Sequence, residues 1–156
     1  MAIGSDSAIA FFGTQDEVTT SPATVADGNY SIASDTSTWT NDDDAPLAMW
    51  RLLLTAAGLG GVPDGGTVDL YLQPQNIDGS TGDQFIPSDN FQHTYIGSFP
   101  IQQTDADQQI LIGPLPLPNY KTSSEFIPFI KNNCGQALGT TWTLHVIPMT
   151  YGPHGA

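Results

Sequence analysis

The sequence predicts an all-β fold, an antiparallel β-sandwich of jelly-roll type that carries an extended N-terminal arm. Seven or eight short segments of apolar or alternating apolar and polar residues follow one another along the 156 residues. Glycine, proline and aspartate separate these segments about every ten residues, a spacing typical of sandwiches and barrels. The expected organisation is an N-terminal arm over residues 1–20, one sandwich domain over 21–152 and a flexible tail over 153–156.

Alternation with a period of two residues marks the clearest strand, 67–73, in which Val68, Leu70 and Leu72 share one face. The pattern predicts a strand with one buried face and one polar face. Pro128 has no N–H to give to a sheet, so its strand is expected to lie at an edge or to contain a bulge. The further predicted strands are 95–101, 109–115, 125–131 and 141–146, with a weaker one at 30–33.

The segment 46–57 is compatible with a helix or a strand. Asp44 is a good helix cap, Gly58 a good helix end, and Leu, Ala and Met are helix formers. A strand is favoured because its alternate residues form one wholly apolar face and because the neighbouring segments are all strands. We expect it to pair with strand 67–73 across the connection 58–66. The apolar face comprises Ala48, Trp50, Leu52, Leu54 and Ala56.

The charge balance excludes two classes of partner. The chain has 3 Lys and Arg residues against 16 Asp and Glu residues, a net charge of −13. So few cations cannot form the basic stripe that a phosphate backbone requires, and we expect no nucleic-acid partner. The same acidity opposes binding to an anionic membrane surface, and no apolar run reaches the roughly 20 residues of a membrane span. No membrane partner is expected either.

Residues that commonly carry catalysis are few and scattered. Cys134 is the only cysteine and lies beside a turn glycine, so we interpret it as an inert thiol. The 3 histidines form no spaced metal-binding pair, and His145 and His154 are expected to face solvent. There is no nucleophile motif, no phosphate-binding glycine loop and no carboxylate within an apolar strand face. We therefore expect no enzymatic activity, no cofactor and no metal.

Two acidic segments each allow a binding interpretation and a structural one. Segment 76–83 places oxygen donors around a glycine, as a calcium loop does, but it lacks the glutamate that closes an EF-hand loop. The alternative for this segment is a solvated hairpin loop. Segment 41–44 contains consecutive aspartates, which suit a cation site or an acidic knob that binds a partner. Its alternative is a helix cap or a solvated loop, and the structural role is preferred for both segments.

An apolar island in the polar N-terminal region is a candidate for binding a partner. Ile9, Phe11 and Phe12 lie among polar residues ahead of the first well-marked strand. Leaving the two phenylalanines exposed costs roughly 1.5–3 kcal/mol each. The rings therefore either fold back on their own domain or form an arm that adds to the sheet or groove of a partner. Both interpretations stay open, and these three residues are the candidate partner-binding site.

Several strand-and-turn motifs carry a family resemblance. They are Val-Asp-Leu-Tyr-Leu at 68–72, Tyr-Ile-Gly-Ser-Phe-Pro at 95–100, Pro-Leu-Pro-Leu-Pro at 114–118 and Phe-Ile-Lys-Asn-Asn-Cys-Gly-Gln-Ala-Leu at 129–138. Through these motifs the stretch 46–151, about two-thirds of the chain, resembles a group of small structural proteins of tailed bacteriophages. The motifs are structural, not catalytic, so they indicate kinship more directly than role.

The resemblance implies a capsid decoration or cement protein that lies on the capsid exterior, binds the major capsid protein and bridges neighbouring capsid subunits. It also implies a homotrimer that is made in the cytoplasm of the bacterial host and assembled into the virion. The alternative is a tail or receptor-binding module that binds carbohydrate. Such a module needs an exposed aromatic platform, for which Trp39, Tyr71 and Tyr95 are the candidates.

Overall fold

Two antiparallel sheets face each other across one core in a computed structural model, which describes residues 8–56, 65–78, 85–92, 94–102 and 106–153. The strands are β1 (Ala8–Phe12), β2 (Asp16–Glu17), β3 (Trp39–Asn41), β4 (Leu47–Leu54), β5 (Thr67–Gln75), β6 (Tyr95–Pro100), β7 (Gln108–Pro116), β8 (Ser124–Asn133) and β9 (Trp142–Pro153). One sheet has the order β1-β9-β4-β7, with β2 also paired to β9, and the other has the order β3-β8-β5-β6. The predicted all-β antiparallel sandwich is confirmed, and the described residues contain no α-helix.

Strand β4 confirms the strand interpretation of segment 46–57, but the predicted pairing with strand 67–73 was wrong. Its alternate residues Ala48, Trp50, Leu52 and Leu54 are buried. β4 pairs with β7 on one side and β9 on the other, whereas β5 lies in the opposite sheet. The physical reason is that β7 and β9 occupy both edges of β4, so β5 has no edge of β4 to pair with and turns its own apolar face to the core from the opposite sheet.

The outer face of β5 is covered, although the alternation predicted a polar, half-exposed strand. Val68, Leu70 and Leu72 are buried on the inner face as predicted. On the outer face, Tyr71 is only 3% exposed. The ring of Tyr30 packs edge-on against Tyr71, with the ring centroids 5.3 Å apart. A loop that crosses the outside of the sheet thus supplies a cover that the local pattern of β5 does not reveal.

The weaker predicted strand 30–33 is a loop and not a strand. Tyr30 forms a single isolated bridge with Lys131. The chain then turns, because the carboxylate of Asp35 accepts a hydrogen bond of 2.8 Å from the N–H of Ile32. A short polar side chain that binds nearby backbone is a common competitor of sheet pairing.

Pro128 lies in β8, an interior strand whose register with β5 runs through the proline without a shift, whereas an edge position or a bulge was predicted. The last pair that β3 makes with β8 joins Trp39 to Phe126, so β3 ends before it reaches the proline. The carbonyl of Pro128 instead accepts a hydrogen bond of 2.7 Å from the hydroxyl of Thr36. On the side of β8 away from β5, the backbone at Pro128 therefore faces the side chain of Thr36 and not another strand. The N–H that proline lacks is not needed there, and the pairing with β5 is intact.

Aromatic side chains fill the core between the two sheets. Trp39 packs edge-on against Trp50 and stacks on Phe126, each at a centroid distance of 6.1 Å. Trp142 is 1% exposed, and its indole N–H donates a hydrogen bond of 3.0 Å to the carbonyl of Ala23. The core thus joins both sheets and the loop that precedes β3 into one packed unit.

Replacing Leu52 with alanine should destabilise the sandwich much more than the same change at its neighbour Leu53. Leu52 is fully buried between the sheets, whereas Leu53 points to the other face of β4 and is only partly buried. We expect Leu52→Ala to lower the free energy of unfolding by about 2–5 kcal/mol, measured by urea denaturation, and Leu53→Ala to lower it by clearly less. Equal losses for the two variants would contradict the assignment of the inner face.

Candidate partner-binding surface

The N-terminal and C-terminal strands form a two-stranded ribbon that projects from the five-stranded sheet. β9 pairs with β4 only as far as the pair Leu47 and Met149. Beyond it, residues 149–153 of β9 pair with β1, from Phe12 opposite Met149 to Ala8 opposite Pro153. We call β1 together with residues 149–153 the terminal ribbon. Within the described part of the chain, no strand pairs with the outer edge of β1.

Three large aromatic side chains of the terminal ribbon are exposed. The exposed fraction is 49% for Phe11, 62% for Phe12 and 55% for Tyr151. A two-stranded ribbon is only marginally stable in water unless something packs against it. Successive side chains of a strand point to opposite faces, so the register places Phe12 and Tyr151 on one face of the ribbon and Phe11 on the other. Exposed aromatic residues on a strand with a free edge are characteristic of protein contact surfaces.

The ring of Phe11 lies over its diagonal neighbour on β9, Gly152, which has no side chain. A β-carbon at Gly152 would lie 2.9 Å from Cε2 of Phe11, closer than real contacts allow. The ring therefore lies across the glycine on the neighbouring strand. Ile9 pairs directly with Gly152 and is partly buried. The geometry fixes Phe11 on the ribbon while half of its surface stays exposed.

A cleft of about 250 Å³ opens beside the ribbon. Phe11 and Phe12 of β1 line one side of this cleft, and the loop 43–46 lines the opposite side. Pro148 and Met149 of β9 form its floor. A Cβ at Gly13, where the chain leaves β1, would be in ordinary contact with Pro148 at 3.4 Å. The cleft is therefore apolar along the strands and acidic at the loop, which contributes Asp43 and Asp44.

The structure places the three candidate residues Ile9, Phe11 and Phe12 together on β1, and their role in binding a partner stays a prediction. It also adds Tyr151, which the sequence placed near the end of the sandwich domain 21–152 without marking it as a contact residue. The signal that could have found Tyr151 is the absence of glycine between Trp142 and Tyr151, which lets β9 continue past Val146. Residues 154–156 of the expected tail lie outside the described residues.

The aromatic platform that carbohydrate binding would require is not formed by its three candidates. Trp39 and Tyr71 are 5% and 3% exposed, while Tyr95 is 48% exposed. Tyr71 packs edge-on against Tyr95 at 5.6 Å, and burial raises the pKa of its phenol. Of the three candidate rings, only that of Tyr95 is open to a ligand.

The single thiol is held in an unreactive state. Cys134 is 1% exposed, and its Sγ donates a hydrogen bond of 3.2 Å to the carbonyl of Thr67. Burial raises the pKa of this thiol to about 11, so the reactive thiolate is scarce at neutral pH.

His145 is buried, although the sequence analysis expected it to face solvent. It is 7% exposed and lies in β9 between Glu17 of β2 and Arg51 of β4. Burial and then the charge of Arg51 lower the pKa of the imidazole. Glu17 opposes the shift weakly, since its Oε2 is 3.9 Å from Nε2 of His145.

The structure describes all of the acidic segment 41–44 but only residues 76–78 of the segment 76–83. In segment 41–44, Asn41 is buried and its amide binds the carbonyl of Ala45, whereas Asp42, Asp43 and Asp44 are exposed on the loop. Residues 79–83 of the calcium-like segment 76–83 lie outside the described residues. Where the structure describes the chain, no group of 3 or more His, Cys, Asp or Glu side chains is arranged to hold a metal ion.

No protein-family model matches the chain, and no curated protein or solved structure matches it significantly. In the described ranges, no helix is long and apolar enough to cross a membrane.

The burial of His145 should make the protein less stable in mild acid. Its pKa is lowered in the folded state, so below the unfolded value of about 6.5 the unfolded chain binds more protons. Stability that is present above this pH is lost as the pH falls through it. We expect the wild type to lose more unfolding free energy between about pH 7.5 and pH 5.5 than the His145→Gln variant, in which this proton is absent. Equal losses, or an imidazole titration midpoint at or above about 6.5 by NMR, would contradict this account.

Proposed function

We propose that the chain is a non-catalytic structural protein of a bacteriophage virion, a decoration or cement protein that docks its terminal ribbon on the major capsid protein. The observation that carries the docking role is the exposure of Phe11, Phe12 and Tyr151 on a ribbon with a free strand edge. The assignment to a virion draws on the resemblance of segments 68–72, 95–100, 114–118 and 129–138 to such proteins.

The chemistry of the remaining residues supports a structural role. Among the described residues, the thiol of Cys134 is buried, the imidazole of His145 is buried with a lowered pKa, and Glu125 is engaged by Asn76 and Lys121. Carboxylates held in an apolar pocket are what hydrolytic acid catalysis needs, and Glu125 is surrounded by polar partners instead. A sandwich that offers a contact surface, and whose described residues assemble no reactive group, suits a protein that resists separation of its neighbours.

The ribbon supplies the energy for such docking. Covering an exposed phenylalanine contributes roughly 1.5–3 kcal/mol, and the ribbon offers two of them beside a tyrosine. A partner strand on the edge of β1 would add main-chain hydrogen bonds and give the contact a direction. The net charge of −13 keeps the chain away from packaged DNA and is compatible with the capsid exterior.

A homotrimer is part of the proposal, because copies around a capsid axis could bury a repeated patch in a closed ring. One of the two segments that suggested such a patch is open: Pro114, Pro116 and Pro118 are exposed along and after β7. The other, 126–130, is mostly covered by its own chain, since Phe126, Phe129 and Ile130 are fully buried. The proline-rich end of β7 is therefore the better candidate for contact between copies.

Replacing Phe12 with serine should weaken capsid binding while leaving the fold intact. Phe12 is 62% exposed, so its loss removes contact surface and little of the core. We expect the Phe12→Ser variant to bind undecorated capsids of the phage that encodes the chain about tenfold more weakly or worse, measured as bound copies against protein concentration.

The matched control is Ile32→Ser, because Ile32 is 59% exposed but lies on a loop away from the terminal ribbon. It should bind capsids as the wild type does, and both variants should unfold at the same urea concentration as the wild type. Equal capsid binding by the two variants would contradict docking through the ribbon, and binding to glycans without binding to capsids would favour the receptor-binding alternative.

A further inference from the structure

We propose that the surface beside the terminal ribbon takes an extended segment of a partner protein that carries arginine or lysine side chains between apolar ones. The inference rests on the proposed docking role and adds the chemistry of the segment that is bound. It follows from three features around the terminal ribbon, namely the free edge of β1, a groove made of two adjoining clefts and a negative charge that no described cation compensates.

The free edge belongs to β1. Its five residues, Ala8–Phe12, are uncharged, and on one side they are paired to β9. On the other side no described strand takes up their backbone groups. An exposed edge of this kind accepts an added strand, whose main-chain hydrogen bonds give affinity and whose side chains point alternately to the two faces of the ribbon.

The groove runs along the open side of the sandwich from the ribbon towards β3. The cleft beside Phe11 and Phe12 adjoins a second cleft, also of about 250 Å³, and the two share Asp43 and Pro148. The second cleft lies between β2 of one sheet and β3 of the other. Its remaining lining residues are Thr14, Asp16, Trp39, Thr40 and Asp42. The groove is thus apolar at the ribbon and acidic at its far end.

The acidic end is not neutralised by the chain itself. The carboxylates of Asp42 and Asp43 form no ion pair and accept no hydrogen bond from any described residue. Asp16 accepts a hydrogen bond of 3.2 Å from the indole N–H of Trp39, which leaves its charge in place.

The chain has only 3 cationic side chains to offer, and all of them are elsewhere. Lys121 pairs with Glu125 and Lys131 with Asp89, while Arg51 lies in β4 beside His145.

Charge complementarity therefore selects the occupant. An extended segment with cationic side chains gains Coulomb attraction at the acidic end and hydrophobic contact with the phenylalanines at the other end. A second copy of this chain is the less suitable occupant, because it would bring its own net charge of −13 to the same acidic groove. Nucleic acid is opposed by the same charge.

Two synthetic peptides test the inference on the full-length protein by NMR. The probe is a blocked heptapeptide of sequence TVRVRVT, and its counterpart TVEVEVT differs only in the sign of charge. We expect TVRVRVT to shift the amide signals of β1 and of residues 14–16 and 40–43, with an affinity that weakens as salt is added. TVEVEVT should shift none of them.

Two variants with equal changes in net charge separate a local effect from a global one. Asp42→Asn combined with Asp43→Asn removes the free carboxylates of the groove. Asp27→Asn combined with Asp107→Asn removes two carboxylates elsewhere, which accept hydrogen bonds from the N–H groups of Gly135 and Ala56. The groove variant should bind TVRVRVT more weakly by about two- to fivefold for each lost charge, and the control variant should bind as the wild type does.

Each other outcome overturns the inference. Equal binding of the two peptides would show that charge does not select the occupant, and equal losses in the two double variants would show that only the net charge acts. Shifts in β1 that grow with protein concentration without peptide would assign the edge to a second copy. If TVRVRVT does not bind while Phe12→Ser still lowers capsid occupancy, the docking role stands and the basic segment is wrong.

Discussion

Strand β9 is longer than the strand it pairs with, and the proposed function depends on that difference. β9 has 12 residues and β4 has 8, so the last residues of β9 extend beyond β4. Backbone groups of a strand need partners, and β1 provides them for residues 149–153. The same pairing places Phe11, Phe12 and Tyr151 beyond the cover of the opposite sheet. The exposed aromatic surface of the terminal ribbon thus arises because β9 and β1 extend beyond the end of β4.

The rest of the sandwich provides rigidity for that surface. Trp39, Trp50, Phe126 and Trp142 join the two sheets in one packed core. A contact surface on a rigid base loses little conformational entropy on binding, which favours a cement that must resist separation. The edge of β1 then sets the direction of the bound segment, the phenylalanines contribute affinity, and the acidic loop selects for cationic side chains.

Much of the fold could be predicted because inner faces follow a local rule. Trp142, Leu144 and Val146 are buried as their alternation indicated. Which strands share a sheet is a long-range property, and so the partner of β4 was not predictable from its own pattern. The burial of His145 was missed for the same reason, since it depends on β2 and β4 lying on either side of β9.

The candidate surface was predictable only in part. Hydrophobicity in a polar setting singled out Ile9, Phe11 and Phe12, whereas Tyr151 was hidden because glycine and proline normally mark the end of order. The acidic groove depends on the meeting of loop 41–44 with β2, two segments that lie far apart in the chain.

The most direct test of the account is electron cryomicroscopy of the virion of the phage that encodes the chain. We expect copies of the sandwich in threes on the capsid exterior, with the terminal ribbon against the major capsid protein and an added strand alongside β1. A chain found in the tail, or one on the capsid whose Phe11, Phe12 and Tyr151 face solvent, would contradict the central claim.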